Sequence, residues 1–332
     1  MNRSDTRERV AKRQRTDEGE VSVTAATRHG THWYRDGSIV LHVDDVLFRV
    51  HQTTLERHSD FFKDLFGVPQ PEGEEQVEGC PVVRLGGDKS VDWVPLLDAM
   101  YDTTLYFDAL ASQEFSEIFP CISGILRLAT KYLIISYRRK CIVILSSHFP
   151  SGVTWQAKPA GVVQWGECCD MINLGRELNI LMPLPYAFLR LATFVATRHG
   201  SAALDAVVPS LSPQDKVDLY RGALTLLAAQ SDDMFPFIHT FAPSADCQAF
   251  LDCSLENALR SYRRQPYQIY FFTPESFGTI KGKVCDPCWT KVKDTFCEGR
   301  QKTWERLPEI FHLGKDWDEL RRIQDNDGTP NS

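Results

Sequence analysis

The stretch "VCDPCWTKVKDTFCEGR" holds the strongest candidate chemistry in this 332-residue chain. Cys285 and Cys288 form a C-x-x-C, which places two thiolates on one tight turn, the bite that tetrahedral zinc prefers. Cys247 and Cys253, further back in the chain, could complete four ligands, with Cys297 or His312 as alternative donors. A structural zinc is therefore one expectation. The plainer one is that these thiols are buried passengers in a helical region. A redox pair would want a thioredoxin-like βαβ setting, and the surrounding sequence has none.

Other reactive constellations are thinner. "HGSAALD" brings His199, Ser201 and Asp205 close in sequence, but proximity along a chain is not the geometry of a triad. Cys168 and Cys169 sit in a helical pattern beside Trp165 and Ile172, where buried structural thiols are the simpler reading. No G-x-S-x-G, H-E-x-x-H, Walker A or G-x-G-x-x-G occurs. A metal- or thiol-dependent enzyme built on the second half would still lack a general base beside its cysteines.

The composition sets outer bounds. A hydrophobic share of 43% and a charged share of 24% are ordinary for a folded chain. The net charge of −7 argues against general nucleic-acid binding, which needs a concentrated positive field to displace phosphate counterions. No stretch reaches the roughly 18 apolar residues that read as a membrane helix, so no membrane is expected. Ten cysteines, scattered and without a secretory leader, suggest reduced thiols in cytoplasm or nucleus.

The elements that must position all this fall into two regions. Residues 1–32 are polar and aperiodic and read as a disordered tail; within them "KRQR" (Lys12–Arg15) has the character of a nuclear import signal. Ile39, Leu41 and Val43 share one face of a strand, and Val46, Phe48 and Val50 one face of the next, with Asp44-Asp45 as the turn. Thr53 to Glu56 fits a capping box opening a helix, along which Leu55, Phe62, Leu65 and Phe66 share a face and Ser59 re-caps midway. "PVVRL" (Pro81–Leu85) reads as a third strand. A helix through Trp93, Leu97, Met100 and Tyr101 follows, in which Pro95 belongs in the first turn. Further helices run through Ile122–Tyr132 and Cys141–Phe149. After breakers between Pro150 and Pro159 come helices at Ala160–Leu178, Leu184–Thr197, Pro213–Ala229 and Ala245–Tyr262. The fold class is α+β with its helices gathered, followed by a mostly α-helical region.

"DGSIVLHVDDVLFRVHQTTLERHSDFF" resembles the opening of a BTB/POZ domain, where a hairpin feeds a helix through F-x-x-H-x-x-x-L-x-x-x-S-x-x-F, here Phe48, His51, Leu55, Ser59 and Phe62. "LRLATKYLI" resembles a later helix of that fold, through Leu128, Ala129, Lys131 and Tyr132. The resemblance covers residues 33–149. It leaves a helical C-terminal region at 160–322 and a second tail at 323–332. The stretch from Val68 to Asp102, with "LPEIFHLGKDWDEL" much later, is similar to BTB-domain proteins of mushroom-forming fungi. Two departures stand out: Thr103–Phe119 reads as a long loop where such domains turn tightly, and no Kelch, MATH, ankyrin or zinc-finger module follows.

What the resemblance implies is a surface, not an active site. The hairpin and helix would build a self-association and partner-docking face around Leu55, Phe62 and Phe66, with His51 a structural corner residue. The partners implied are a second copy of the chain and other proteins, in a transcriptional or signalling scaffold. A substrate adaptor on a cullin scaffold is the alternative, with Phe115-Ser116-Glu117 as its hydrophobic-x-Glu contact.

If "KRQR" is an address, a reporter fused to residues 1–28 accumulates in nuclei and loses that accumulation when Lys12, Arg13 and Arg15 become Ala. Unchanged nuclear signal in the triple variant rules the address out.

Overall fold

Alternating apolar residues build the central hairpin, β2 (Ile39–Val43) and β3 (Val46–Val50), in an antiparallel register that pairs Val43 with Val46. That register makes Asp44-Asp45 a two-residue turn. Asp44 takes φ 51°, a left-handed conformation that a short polar side chain tolerates. The computed structural model describes residues 26–68, 75–111, 113–151, 163–197, 208–238, 241–247 and 280–326.

The sheet has five strands in the order β1-β3-β2-β5-β4, adding β1 (Thr27–Trp33), β4 (Gln76–Val77) and β5 (Cys80–Arg84). β1 runs parallel to β3, and β5 parallel to β2. Strand β1 lies inside the segment expected to be a tail. Its sequence, "TRHGTHW", has no apolar alternation, because it is an edge strand whose anchor is the buried His32. Ile39, Leu41, Val43, Phe48 and Val50 face the helices, and Val40 and Leu47 face the other way with Cys80.

Chain leaves β3 into α1 (Gln52–His58), α2 (Asp60–Gly67), α3 (Ser90–Tyr101), α4 (Thr103–Ala111), α5 (Phe115–Lys131) and α6 (Ile135–His148). The N-cap of α1 is His51 and makes no side-chain cap bond, so the capping box read at Thr53 does not form. Ser59 does cap α2, accepting from the Phe62 amide at 3.2 Å. Pro95 is the sixth residue of α3, not a first-turn residue, since Ser90 already begins the helix. The supposed loop at Thr103–Phe119 is mostly helical, divided between α4 and the start of α5. Helices α3 and α5 approach so closely that a Cβ on Gly124 would lie 3.0 Å from the Asp92 Cα, which is why a glycine stands mid-helix there.

The second region adds α7 (Trp165–Glu177), α8 (Leu184–Thr197), α9 (Pro213–Ala229), α10 (Asp286–Glu305), α11 (Leu307–Ile310) and α12 (Trp317–Asn326). Helices α8 and α9 have the bounds read from the sequence. Helix α7 starts five residues later than expected, at Trp165, with Gln164 and Glu167 forming its capping box. The helix expected at Ala245–Tyr262 lies outside the described residues except for Ala245–Cys247, which form a turn. Helix α12 runs past the expected boundary at 322, because Ile323 packs on the core and Gln324 accepts from the Met182 amide at 3.3 Å. A π-helical turn at Gln230–Met234 passes under α10, where a Cβ on Gly299 would lie 2.2 Å from the Asp233 carbonyl oxygen.

The two regions share one hydrophobic core, continuous from Ile39 to Leu320. Polar contacts cross the same boundary: Arg127 pairs with Glu177 at 2.9 Å, and Arg138 donates to the Leu178 carbonyl at 3.4 Å.

Asp88, in the loop between β5 and α3, is buried and ties several elements together. It accepts from Trp93 Nε1 at 2.9 Å and from the Tyr132 hydroxyl at 2.5 Å, and pairs with Lys131 Nζ at 2.5 Å. Burial, and then the bond to Asp88, push the Tyr132 phenol well above its ordinary pKa, so it donates throughout the physiological range. Asp88→Ala leaves an indole N–H and a phenol O–H without their acceptor and is expected to cost about 3 kcal/mol or more. Urea denaturation measures it; a loss under about 1 kcal/mol would show that water replaces the carboxylate.

Candidate functional site

Helix α2 decides what the first region can present. Its sequence, "DFFKDLFG", puts Phe61 and Phe62 side by side, about 100° apart around the helix, so the two point in different directions. Phe62 is fully buried, its ring 4.8 Å from Tyr132 and 5.7 Å from Phe66. Leu55 is fully buried as well, and Phe66 is half-buried against the same core. The face expected to dock a partner through Leu55, Phe62 and Phe66 is thus turned inward: its apolar stripe is core because the domain folds onto it. The outward residue is Phe61, 39% exposed, with its ring 5.2 Å from Tyr132 and Leu133 the next residue along, 45% exposed. The adjacent "FF" thus splits between core and surface.

His51 stands at the strand-to-helix corner. The Tyr101 hydroxyl accepts from its amide at 3.1 Å and meets its Nδ1 at 2.8 Å, and Nε2 lies 3.4 Å from Asp36. Those contacts brace the corner. Phe115 is buried against Phe119, His148 and Phe149, so the hydrophobic member of Phe115-Ser116-Glu117 is not offered to a partner. In the second region, Val217, Tyr220 and Leu224 are 48%, 43% and 69% exposed at helical spacing on α9.

Six of the described thiols fall into two groups. Cys141, Cys168 and Cys169 are buried in the core, and burial pushes their pKa up: Cys168 to about 12, Cys169 to about 11 and Cys141 beyond that range. They stay protonated at neutral pH and are poor nucleophiles. The second group is Cys247, Cys285 and Cys288, whose sulfurs all lie within 4.8 Å of one another. Helix α10 places two of them: Cys285 is its N-cap and Cys288 lies in its first turn. The turn ending at Cys247, closed by its amide on the Ser244 carbonyl at 3.0 Å, brings the third. The Ser244 amide also donates to the Cys288 sulfur at 3.3 Å.

Of the other candidate ligands, Cys297 and His312 do not join this cluster. Cys253, and with it His199, Ser201 and Asp205, lie outside the described residues. Cys297 is nine residues along α10 from Cys288, which at 1.5 Å per residue is about 14 Å away, too far to share an ion. His312 is engaged elsewhere, its Nδ1 2.9 Å from the buried Asp218 carboxylate.

The first region is thus a small mixed sheet under a helical layer, with aromatic side chains at the strand-to-helix corner. Residues 36–148 match the family model of the BTB/POZ domain, so this chain carries a BTB/POZ domain, a protein–protein interaction module that is not catalytic. No curated protein matches the chain. Among the described residues, no helix is long and apolar enough to cross a membrane.

The inward and outward phenylalanines should separate cleanly in stability. Phe62→Ala is expected to cost about 4 kcal/mol as a buried aromatic truncation. Phe61→Ala should cost under about 1 kcal/mol. Chemical denaturation of the two variants checks this, and equal costs would mean that Phe61 is also part of the core.

Proposed function

We propose that this chain is a non-enzymatic interaction protein that self-associates through its BTB/POZ domain and carries its C-terminal helices as a fixed extension of that module. The BTB/POZ domain at residues 36–148 carries this reading, being the one part of the chain whose class of activity is known.

Two features support a second copy of the chain as the partner. Strand β1 is one of the two edge strands of the sheet, with four of its seven residues exposed. An open edge strand is a template for pairing with another chain. Phe61 and Leu133 add exposed apolar surface where α2 meets the end of α5. The shared core makes the C-terminal region part of the platform, so a partner held by α9 would keep a set orientation to the BTB/POZ domain. The reading includes a transcriptional or signalling scaffold in cytoplasm or nucleus.

Light scattering on the full chain tests self-association. The full chain is needed because truncation after residue 149 would uncover Phe149 and Leu145, which are fully buried. A mass of two chains at tens of micromolar is expected, weakened by Gly30→Pro, which removes a backbone donor from β1 at a position with open space around it. A monomer at high micromolar concentration overturns self-association. A cullin scaffold recovered by affinity purification with that monomer would put the ligase-adaptor reading in its place.

A further inference from the structure

We infer that Cys247, Cys285 and Cys288 form a zinc-binding site that staples the Ser244–Cys247 turn to the N-terminus of α10. This inference is independent of the BTB/POZ reading, since none of the three residues belongs to that domain.

The geometry is that of a metal site more than of a chance cluster. Two sulfurs bound at about 2.3 Å to a tetrahedral ion lie about 3.8 Å apart. The Cys247 and Cys285 sulfurs are 3.8 Å apart, and the Cys288 sulfur is within 4.8 Å of both. A disulfide would need its sulfurs at about 2.0 Å and would leave the third thiol without a purpose. Cys247 and Cys288 are buried and Cys285 is half-buried, so an ion here is shielded while one side stays open for loading.

The surroundings suit thiolates. Cys285 and Cys288 occupy the electropositive end of a 20-residue helix, where the amides of the first turn favour negative charge. The Ser244 amide pointing at the Cys288 sulfur is the outer-shell hydrogen bond that orients a metal ligand. Lys291 Nζ donates to the Ala242 carbonyl at 2.9 Å and the Pro243 carbonyl at 3.3 Å, holding a cation and a brace beside the same turn. Binding displaces the protons the thiols still carry, and three thiolates with one divalent zinc leave a net charge of −1. A water or a further side chain takes the fourth tetrahedral position.

Its role is structural. Cys247 and Cys285 are 38 residues apart, so the ion closes a long loop, the kind of closure whose entropy a covalent or metal clip offsets most. Because no such site preforms in an unfolded chain, the binding free energy appears as folding stability.

Elemental analysis of the full chain, purified under reducing conditions without chelator, is the test. About one zinc per chain is expected. Cys247→Ser, Cys285→Ser and Cys288→Ser should each lose most of it, while Cys121→Ser, at a half-buried thiol on α5, keeps it. Should a serine variant fail to fold, cobalt(II) titration of demetallated wild-type protein reads the site directly. One equivalent should produce the intense bands of a tetrahedral thiolate complex, and zinc should displace it. Reduced protein that takes up neither metal overturns the site. So does zinc retained in all three variants, or a Cys247–Cys285 disulfide in metal-free protein found by mass spectrometry.

Discussion

The buried carboxylate of Asp88 is the constraint on which the first region depends. A lone carboxylate in a core is strongly disfavoured, so it persists only where donors converge on it. Here an indole, a phenol and an ammonium do so, from α3 and from the end of α5. Those donors fix Tyr132, whose carbonyl accepts from Ser59 Oγ at 2.6 Å and whose ring packs against Phe61, Phe62 and Trp93. One buried carboxylate thereby links α3 and the end of α5, and through Tyr132 and Ser59 the start of α2.

That network explains why the BTB/POZ pattern was legible. Ser59 and Phe62 in one motif and Lys131 and Tyr132 in the other are the two sides of a single contact, over 70 residues apart. Local chemistry was equally readable at Asp44-Asp45, read as the turn between the strands, and at Pro213, where the sequence started a helix and α9 begins. Strand β1 was not readable, because an edge strand in contact with one neighbour needs no alternating pattern. Helix α4 was missed for a related reason: "TTLYFDALA" has weak amphipathicity, and its place is settled by packing beside α3 and α6.

The docking surface shows a different limit. A helix stripe such as Leu55, Phe62 and Phe66 is apolar whether it faces a core or a partner, and sequence alone does not distinguish these. Tertiary structure does, by seating Phe62 under Tyr132 and leaving Phe61 outside. The shared core then removes the expected separation of the halves. Arg127, Arg138 and Phe149 reach across to Glu177, Leu178 and Tyr186, so the C-terminal helices are built onto the BTB/POZ domain, not tethered to it.

The thiol cluster combines both kinds of information. C-x-x-C is a local signal, and a helix that begins at Cys285 fixes two sulfurs with no help from the rest of the chain. The third sulfur is a long-range fact, since Cys247 lies on a turn that Lys291 and Ser244 hold against that helix. Spacing could nominate Cys297 and His312 with equal right. Helical rise removes the first, and the contact with Asp218 commits the second. What remains is a set of three sulfurs within 4.8 Å of one another, one pair of them at the 3.8 Å that both an S–H···S contact and a shared tetrahedral ion allow.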